Sequence, residues 1–157
     1  MSKSVKRVEA ALAEAGIEAR LLEMGAETRT AQQAADAAGC SVDQIAKSIL
    51  FRGRQSGRLY LFITAGGNRV CPEKASACAG EPLEKAEAAQ IRQETGFVIG
   101  GVAPVGHLTP PRPFLDPKLL TYATVWAAAG TPRHIFEIAP DRLMDASGAE
   151  PADFVLS

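Results

Sequence analysis

"AKSILFRGRQSGRLYLFITAG", residues 46–66, sets two β-rich runs on either side of an Arg, Gly, Ser and Gln turn. Aliphatic, aromatic and Thr residues bounded by turn formers predict a β-hairpin. A period of two puts Lys47, Ile49 and Phe51 on one face and Ala46, Ser48 and Leu50 on the other. Lys47 therefore falls among apolar neighbours, a poor place for an ammonium unless an anionic partner meets it. The plainer alternative is a lysine snorkelling out at the sheet edge.

Upstream, Val5, Val8, Leu12 and Ala15 recur at helical spacing before Gly16, which predicts an amphipathic helix over residues 3–15. "IEARLLE" (17–23) reads as a strand. Thr30 with Gln33 three positions on is a capping-box pattern for a helix that stops at Gly39, and Ser41 with Gln44 repeats the signal for a short helical turn. Downstream, "PEKASACAG" and "PLEKAEAAQIRQETG" each start near a proline and end at a glycine, as two helices would. "FVIGG" (97–101) reads as a strand that opens into a loop. The proline-rich connection "PPRPFLDPKLL" carries a short strand at Phe114 and Leu115. "YATVWAAAGTPRHIFEIAP" reads as strand, turn and strand with Gly130, Thr131 and Pro132 at the turn, followed by a helix at "PDRLMDAS" and a last strand at "FVL". Strands outnumber helices in the second half, so the expected class is α+β: one domain over 1–157, with a mixed, mostly antiparallel sheet flanked by helices.

The chain of 157 residues is long enough to bury roughly 70% of the surface of its unfolded form. With 46% hydrophobic and 22% charged residues and a net charge of −1, bulk electrostatic attraction to nucleic acid is excluded. Contact with RNA has to be local, through Arg52, Arg54 and Arg58 or through Arg69 and Lys74. No stretch has the length of a signal peptide's apolar region or of a membrane span, and the expected location is cytoplasmic. Cys40, Cys71 and Cys78 have no CxxC spacing, so neither a disulfide framework nor a zinc site is expected.

"GFVIGGVAPVGH", residues 96–107, concentrates glycine where close backbone approach is needed and could present amides to an oxygen-rich ligand. It lacks the spacing of the phosphate-binding GxGxxG and GK[ST] motifs. His107 beside this loop and His134 in a polar turn have no metal-like spacing, and no catalytic triad can be assigned.

"TAQQAADAAGCSVDQIAKSILF", "TGFVIGGVAPVGH" and "WAAAGTPRHIFEIAPDRL", in this order, resemble the YbaK/ProX family of aminoacyl-tRNA deacylases, relatives of the prolyl-tRNA synthetase editing domain. The most specific parts are the Q-x-x-K-S/T segment with Lys47 and the G-x-x-x-P loop, Gly100 to Pro104. The resemblance implies that backbone amides of the loop hold the ester carbonyl and terminal adenosine of a mischarged tRNA, and that Lys47 meets the 3′-terminal nucleotide near its phosphate. It implies no metal, cofactor or side-chain nucleophile: a ribose hydroxyl of the tRNA assists water. Lys47, Gly100 and Gly101 are then the expected catalytic positions. Thr30, Ser48, Ile49, Val102, Pro104, Gly106, His107, Ala128, Gly130 and Ile135 are the expected substrate contacts. Ala128 and Ile135 stand where the YbaK type has serine and aspartate, so a small apolar side chain on tRNA for proline is the expected substrate. The implied partners are the aminoacyl-tRNA 3′ end and prolyl-tRNA synthetase. The alternatives are a non-catalytic aminoacyl or nucleotide-binding module and a thiol enzyme using Cys40 or Cys71.

Overall fold

In a computed structural model describing residues 2–28 and 30–157, the hairpin read from the sequence is the spine of one sheet. Strands β2 (Ile45–Gly53) and β3 (Leu59–Ala65) pair antiparallel in unbroken register from Ala46↔Ala65 to Arg52↔Leu59. Glu81 clamps the turn between them. Its carboxylate accepts from the amides of Gln55 and Ser56 and the hydroxyls of Ser56 and Tyr60. These bonds, led by the one from the Ser56 hydroxyl, hold its pKa down to about 2.

Around the hairpin lie β1 (Arg20–Glu23), β4 (Leu83–Lys85), β5 (Arg112–Leu115), β6 (Val125–Ala128), β7 (His134–Ile138) and β8 (Glu150–Pro151). The sheet order is β1-β7-β6-β2-β3-β5-β8, with β4 beside β2 off this path. Antiparallel pairs (β1 with β7, β2 with β3 and with β4, β6 with β7) outnumber the parallel ones (β2 with β6, β3 with β5, β5 with β8). The fold is α+β with a mixed, mostly antiparallel sheet, as the sequence indicates.

Helices cover both faces. Helix α1 (Lys3–Glu14) buries Val5, Val8 and Leu12, the stripe its periodicity marks. With Ile91 of α4 (Ala88–Thr95) and Leu143 of α5 (Pro140–Ser147) it covers the face that carries Ala46 and Leu50. Helix α2 (Ala31–Ala38) packs Ala34 and Ala35 on the opposite face against Ile45, Trp126 and Ile135. Further along that face, Ala75 and Ala79 of α3 (Pro72–Ala79) meet Phe62, Phe114 and Phe154. Burying each of the larger aliphatic and aromatic side chains among these contributes about 1.5–3 kcal/mol, which fixes the hairpin between two helical layers.

Three local expectations need correction. Residues 82–96 are not one helix: Leu83–Lys85 is β4, which completes the far end of β2, and α4 begins at Ala88. "FVIGG" is not a strand. Gly96 caps α4 with φ +79°, Phe97 is fully buried, and the chain reverses in a turn closed by the Gly101 amide on the Val98 carbonyl, 3.0 Å. "FVL" makes only an isolated bridge, Val155 to Val70, and the last sheet strand is β8.

Candidate active site

The sheet forks beside β2. On its far side from β3, β2 pairs with β6 only at Ile45 and Ala46, and with β4 only from Phe51 to Gly53. Residues 47–50 between them have no strand neighbour there. A cavity of about 420 Å³ opens at this fork and takes its lining from both faces of the sheet. Thr28, Thr30, Ala34, Trp126, Ala128 and Ile135 line the α2 side, while Leu50, Ala86, Ile91, Ile99, Gly100 and Val102 line the α4 side. The fork exists because β6 and β4 are short: β6 ends at Ala128 before the Gly130 turn, and β4 has three residues.

Lys47 lines the cavity, and its partners are not the anion expected of it. Its Nζ donates to the backbone carbonyls of Gly66 (3.2 Å) and Asn68 (2.6 Å), just beyond β3. A buried carboxylate holds that segment in shape. Asp116, 2% exposed, accepts from the Ala65 amide (3.1 Å) and the Asn68 side chain (2.8 Å). Asp43 accepts from the Gly67 amide, 2.9 Å. Desolvation, then the charge of Arg69, lower the Lys47 pKa, opposed by Asp43 and Asp116. An ammonium has three donors, so one remains for a ligand.

The glycine loop divides in two. Gly100, in the left-handed region at φ +94°, lines the cavity with Val102, and among the described residues neither amide has a hydrogen-bond partner. Gly101 does not line it. Its amide is spent on Val98, and a Cβ there would lie 2.7 Å from the Thr131 Cα, so this glycine serves packing between loops. Pro104 is buried away from the cavity, and Gly106 and Gly130 press against α1 at Arg7 and Ser4. The His107 Nε2 donates to the Ala103 carbonyl while its ring stands edge-on to Phe97 at 5.3 Å. Burial lowers the pKa of this histidine, which also does not line the cavity.

Of the other expected contacts, Thr30, Ser48, Ile49, Ala128 and Ile135 all line the cavity. Ala128 and Ile135 are cross-strand partners in the β6–β7 hairpin, which sets them side by side. Thr30 caps α2, its hydroxyl accepting from the Gln33 amide at 3.1 Å. None of the cysteines lines the cavity, and burial pushes the Cys40 thiol up, so nothing here favours the thiol reading. Thr28, Ala34, Ala86 and Ile91 were not anticipated. Ala31 and Ala34 sit three apart on the predicted helix, a signal the sequence offers, whereas Ala86 was concealed by the false helix over 82–96.

The aminoacyl-tRNA editing domain family matches residues 25–146, a span that takes in the fork, Lys47, the glycine loop and the β6–β7 hairpin. The chain belongs to the aminoacyl-tRNA editing domain family. A crystal structure of a proposed trans-editing enzyme for prolyl-tRNA synthetase superimposes with a TM-score of 0.93 at 45% identity, covering 100% of this chain and 99% of the other. YwhH of Bacillus subtilis, of uncharacterised role, is 32% identical over 116 residues, 74% of this chain and 73% of its own length. EbsC of Enterococcus faecalis, a proposed Cys-tRNA(Pro)/Cys-tRNA(Cys) deacylase, is 20% identical over 123 residues, 78% of this chain and 75% of its own. The editing domain thus bears out the YbaK-like resemblance, and its reaction class is aminoacyl-tRNA deacylation. Among the described residues, no helix of this editing domain is long and apolar enough to cross a membrane.

Proposed function

We propose that this editing domain acts in trans in the cytoplasm, hydrolysing the ester between a small aliphatic amino acid and tRNA for proline. One observation carries the reading: the fork joins an apolar lobe at Ala128 and Ile135, unspent amides at Gly100 and Val102, and a lysine with a donor to spare.

The Lys47 ammonium meets the 3′-terminal nucleotide near its phosphate, a compact charge suited to that partner. The amides of Gly100 and Val102 receive the ester carbonyl oxygen and stabilise the negative charge that grows on it as water attacks. A ribose hydroxyl orients the water, the bond from carbonyl carbon to ribose oxygen breaks, and that oxygen leaves as a hydroxyl with a proton from the water. Products are the free amino acid and intact tRNA. Thr30 and Ile49 shape the mouth of the cavity, while Gly101, Pro104, Gly106, His107 and Gly130 support the loop.

The Ala128 and Ile135 lobe sorts aliphatic side chains by size, a methylene being worth roughly 1–3 kcal/mol, and it disfavours serine, nearly the size of 2-aminobutyrate, only because the seryl hydroxyl would lose its water there without gaining a partner. Prolyl-tRNA synthetase is the partner that would supply tRNA selectivity. The test is deacylation of mischarged tRNA for proline by the purified protein; stoichiometric binding without turnover would establish the non-catalytic module instead.

A further inference from the structure

Ser48 stands in the middle of the unpaired stretch of β2. On the two sides of this strand, Gly53 donates its amide to Arg58 toward β3 and Arg54 donates to Pro82 toward β4. Backbone groups alternate sides along a strand, so counting back from Arg54 in twos brings the amide and carbonyl of Ser48 to the gap, away from β3. The register of β6 stops at Ala46 and that of β4 at Phe51, so neither strand reaches them. The Ser48 hydroxyl, on the face shared with Ala46 and Leu50, is buried and has no hydrogen-bond partner among the described residues. One residue lining the cavity thus holds an amide, a carbonyl and a hydroxyl that are all unpaired among the described residues, groups that folded proteins rarely leave so without a ligand or water to take them, and the carbonyl and hydroxyl are its two acceptors.

Resting on the editing reading, we infer that the Ser48 carbonyl and hydroxyl receive the α-ammonium of the aminoacyl ester. This group is the cation every aminoacyl ester brings, and acceptors without a carboxylate are the same means by which this site already holds the Lys47 ammonium, on the Gly66 and Asn68 carbonyls. The two cations are kept apart, since Lys47 is drawn to the end of β3 while the Ser48 carbonyl faces the fork. Held there, the α-carbon lies between the two lobes, with the ester toward Gly100 and the side chain free to enter the Ala128 lobe. The fork thereby selects a free α-amine as well as a side chain.

The experiment is a cycle of two proteins and two substrates: wild type and Ser48→Ala, each with alanyl-tRNA and propionyl-tRNA, the second lacking only the α-ammonium. Each kcat/KM is divided by the uncatalysed hydrolysis rate of that ester, which removes the intrinsic activation by the ammonium. The expected result is a normalised rate at least about tenfold lower for propionyl-tRNA in the wild type, and a loss of about tenfold on Ser48→Ala for alanyl-tRNA only. Ser48→Thr, which keeps the hydroxyl, retains most of the activity. Equal normalised rates for the two esters, or equal losses on Ser48→Ala for both, would overturn the assignment. If no ester is cleaved, the editing reading fails separately. The α-ammonium is then tested by binding of 3′-deoxy-3′-(alanylamino)adenosine against its propionyl analogue, equal affinity being the adverse result.

Discussion

Replacing Lys47 by Met keeps an apolar stem of similar length and removes the charge, which separates two quantities the structure assigns to this residue. The first is structural. The ammonium donates to the Gly66 and Asn68 carbonyls, and leaving half-buried carbonyls unpaired costs about 1–3 kcal/mol in total, a fall in Tm of roughly 2–12 °C for a domain of this size. The second is functional. The third donor, charge-assisted toward phosphate, is worth about 1.5–3 kcal/mol, so kcat/KM for mischarged tRNA should fall between about tenfold and 150-fold. Because the contact exists before and during the reaction, most of the loss should enter KM. The assay is deacylation under kcat/KM conditions at a temperature where circular dichroism shows both proteins folded. Lys47→Arg keeps the charge but spreads it over a planar fork that cannot repeat the two-carbonyl seat, so its loss should be intermediate. Desolvation and Arg69 lower the Lys47 pKa, so the tRNA contact should weaken with rising pH earlier than an ordinary lysine's would. A folded Lys47→Met protein within twofold of wild-type kcat/KM would refute the role given to Lys47.

Gly101→Ala drives a Cβ into the Thr131 backbone, so it should lower Tm by about 2–12 °C, the range for overpacking by 1–3 kcal/mol; an unchanged melting curve would contradict this packing role. His107 is a base whose folded pKa lies below its ordinary value of 6.5, so the unfolded chain binds its proton first and stability is lost as pH falls below about 6.5. His107→Phe should flatten that dependence in thermal unfolding while leaving the deacylation pH profile unaltered; a displaced activity profile would make His107 an acid–base group. Ala128→Leu should fill the apolar lobe beside Ile135 and depress turnover of the 2-aminobutyryl ester more than the alanyl ester, by roughly tenfold or more. Equal losses on both esters would mean that Ala128 supports the fold instead of selecting the side chain.

What was legible in the sequence was local. The hairpin at 45–65, the capping box at Thr30 and the β6–β7 turn all follow from period, caps and turn residues, and each lies where those signals put it. Errors arose where neighbours in space decide. "FVIGG" has the apolar content of a strand, but Gly96 and Gly100 at positive φ fold it into a turn. Residues 83–85 leave a helical pattern because the end of β2 needs a partner. In the site, alternation predicted the faces of Lys47 and Ser48 correctly, yet the fork was invisible, because it depends on how far β4 and β6 run beside β2. The carbonyl seat of Lys47 was hidden likewise, since it is made by residues 66 and 68 across the hairpin and fixed by Asp116 far along the chain.

Hydrolysis at the fork is measured by one deacylation panel: tRNA for proline charged in turn with alanine, 2-aminobutyrate, serine, cysteine and proline, each incubated with the purified wild-type protein without added metal. The fork predicts rapid hydrolysis of the alanyl and 2-aminobutyryl esters, slower loss of the seryl ester and no loss of prolyl-tRNA beyond its uncatalysed rate, because the proline ring closes back onto the α-nitrogen and does not enter a lobe shaped for a linear side chain. Seryl turnover equal to the aliphatic esters would contradict the apolar lobe, and no acceleration of any ester by the folded protein would contradict the hydrolase itself.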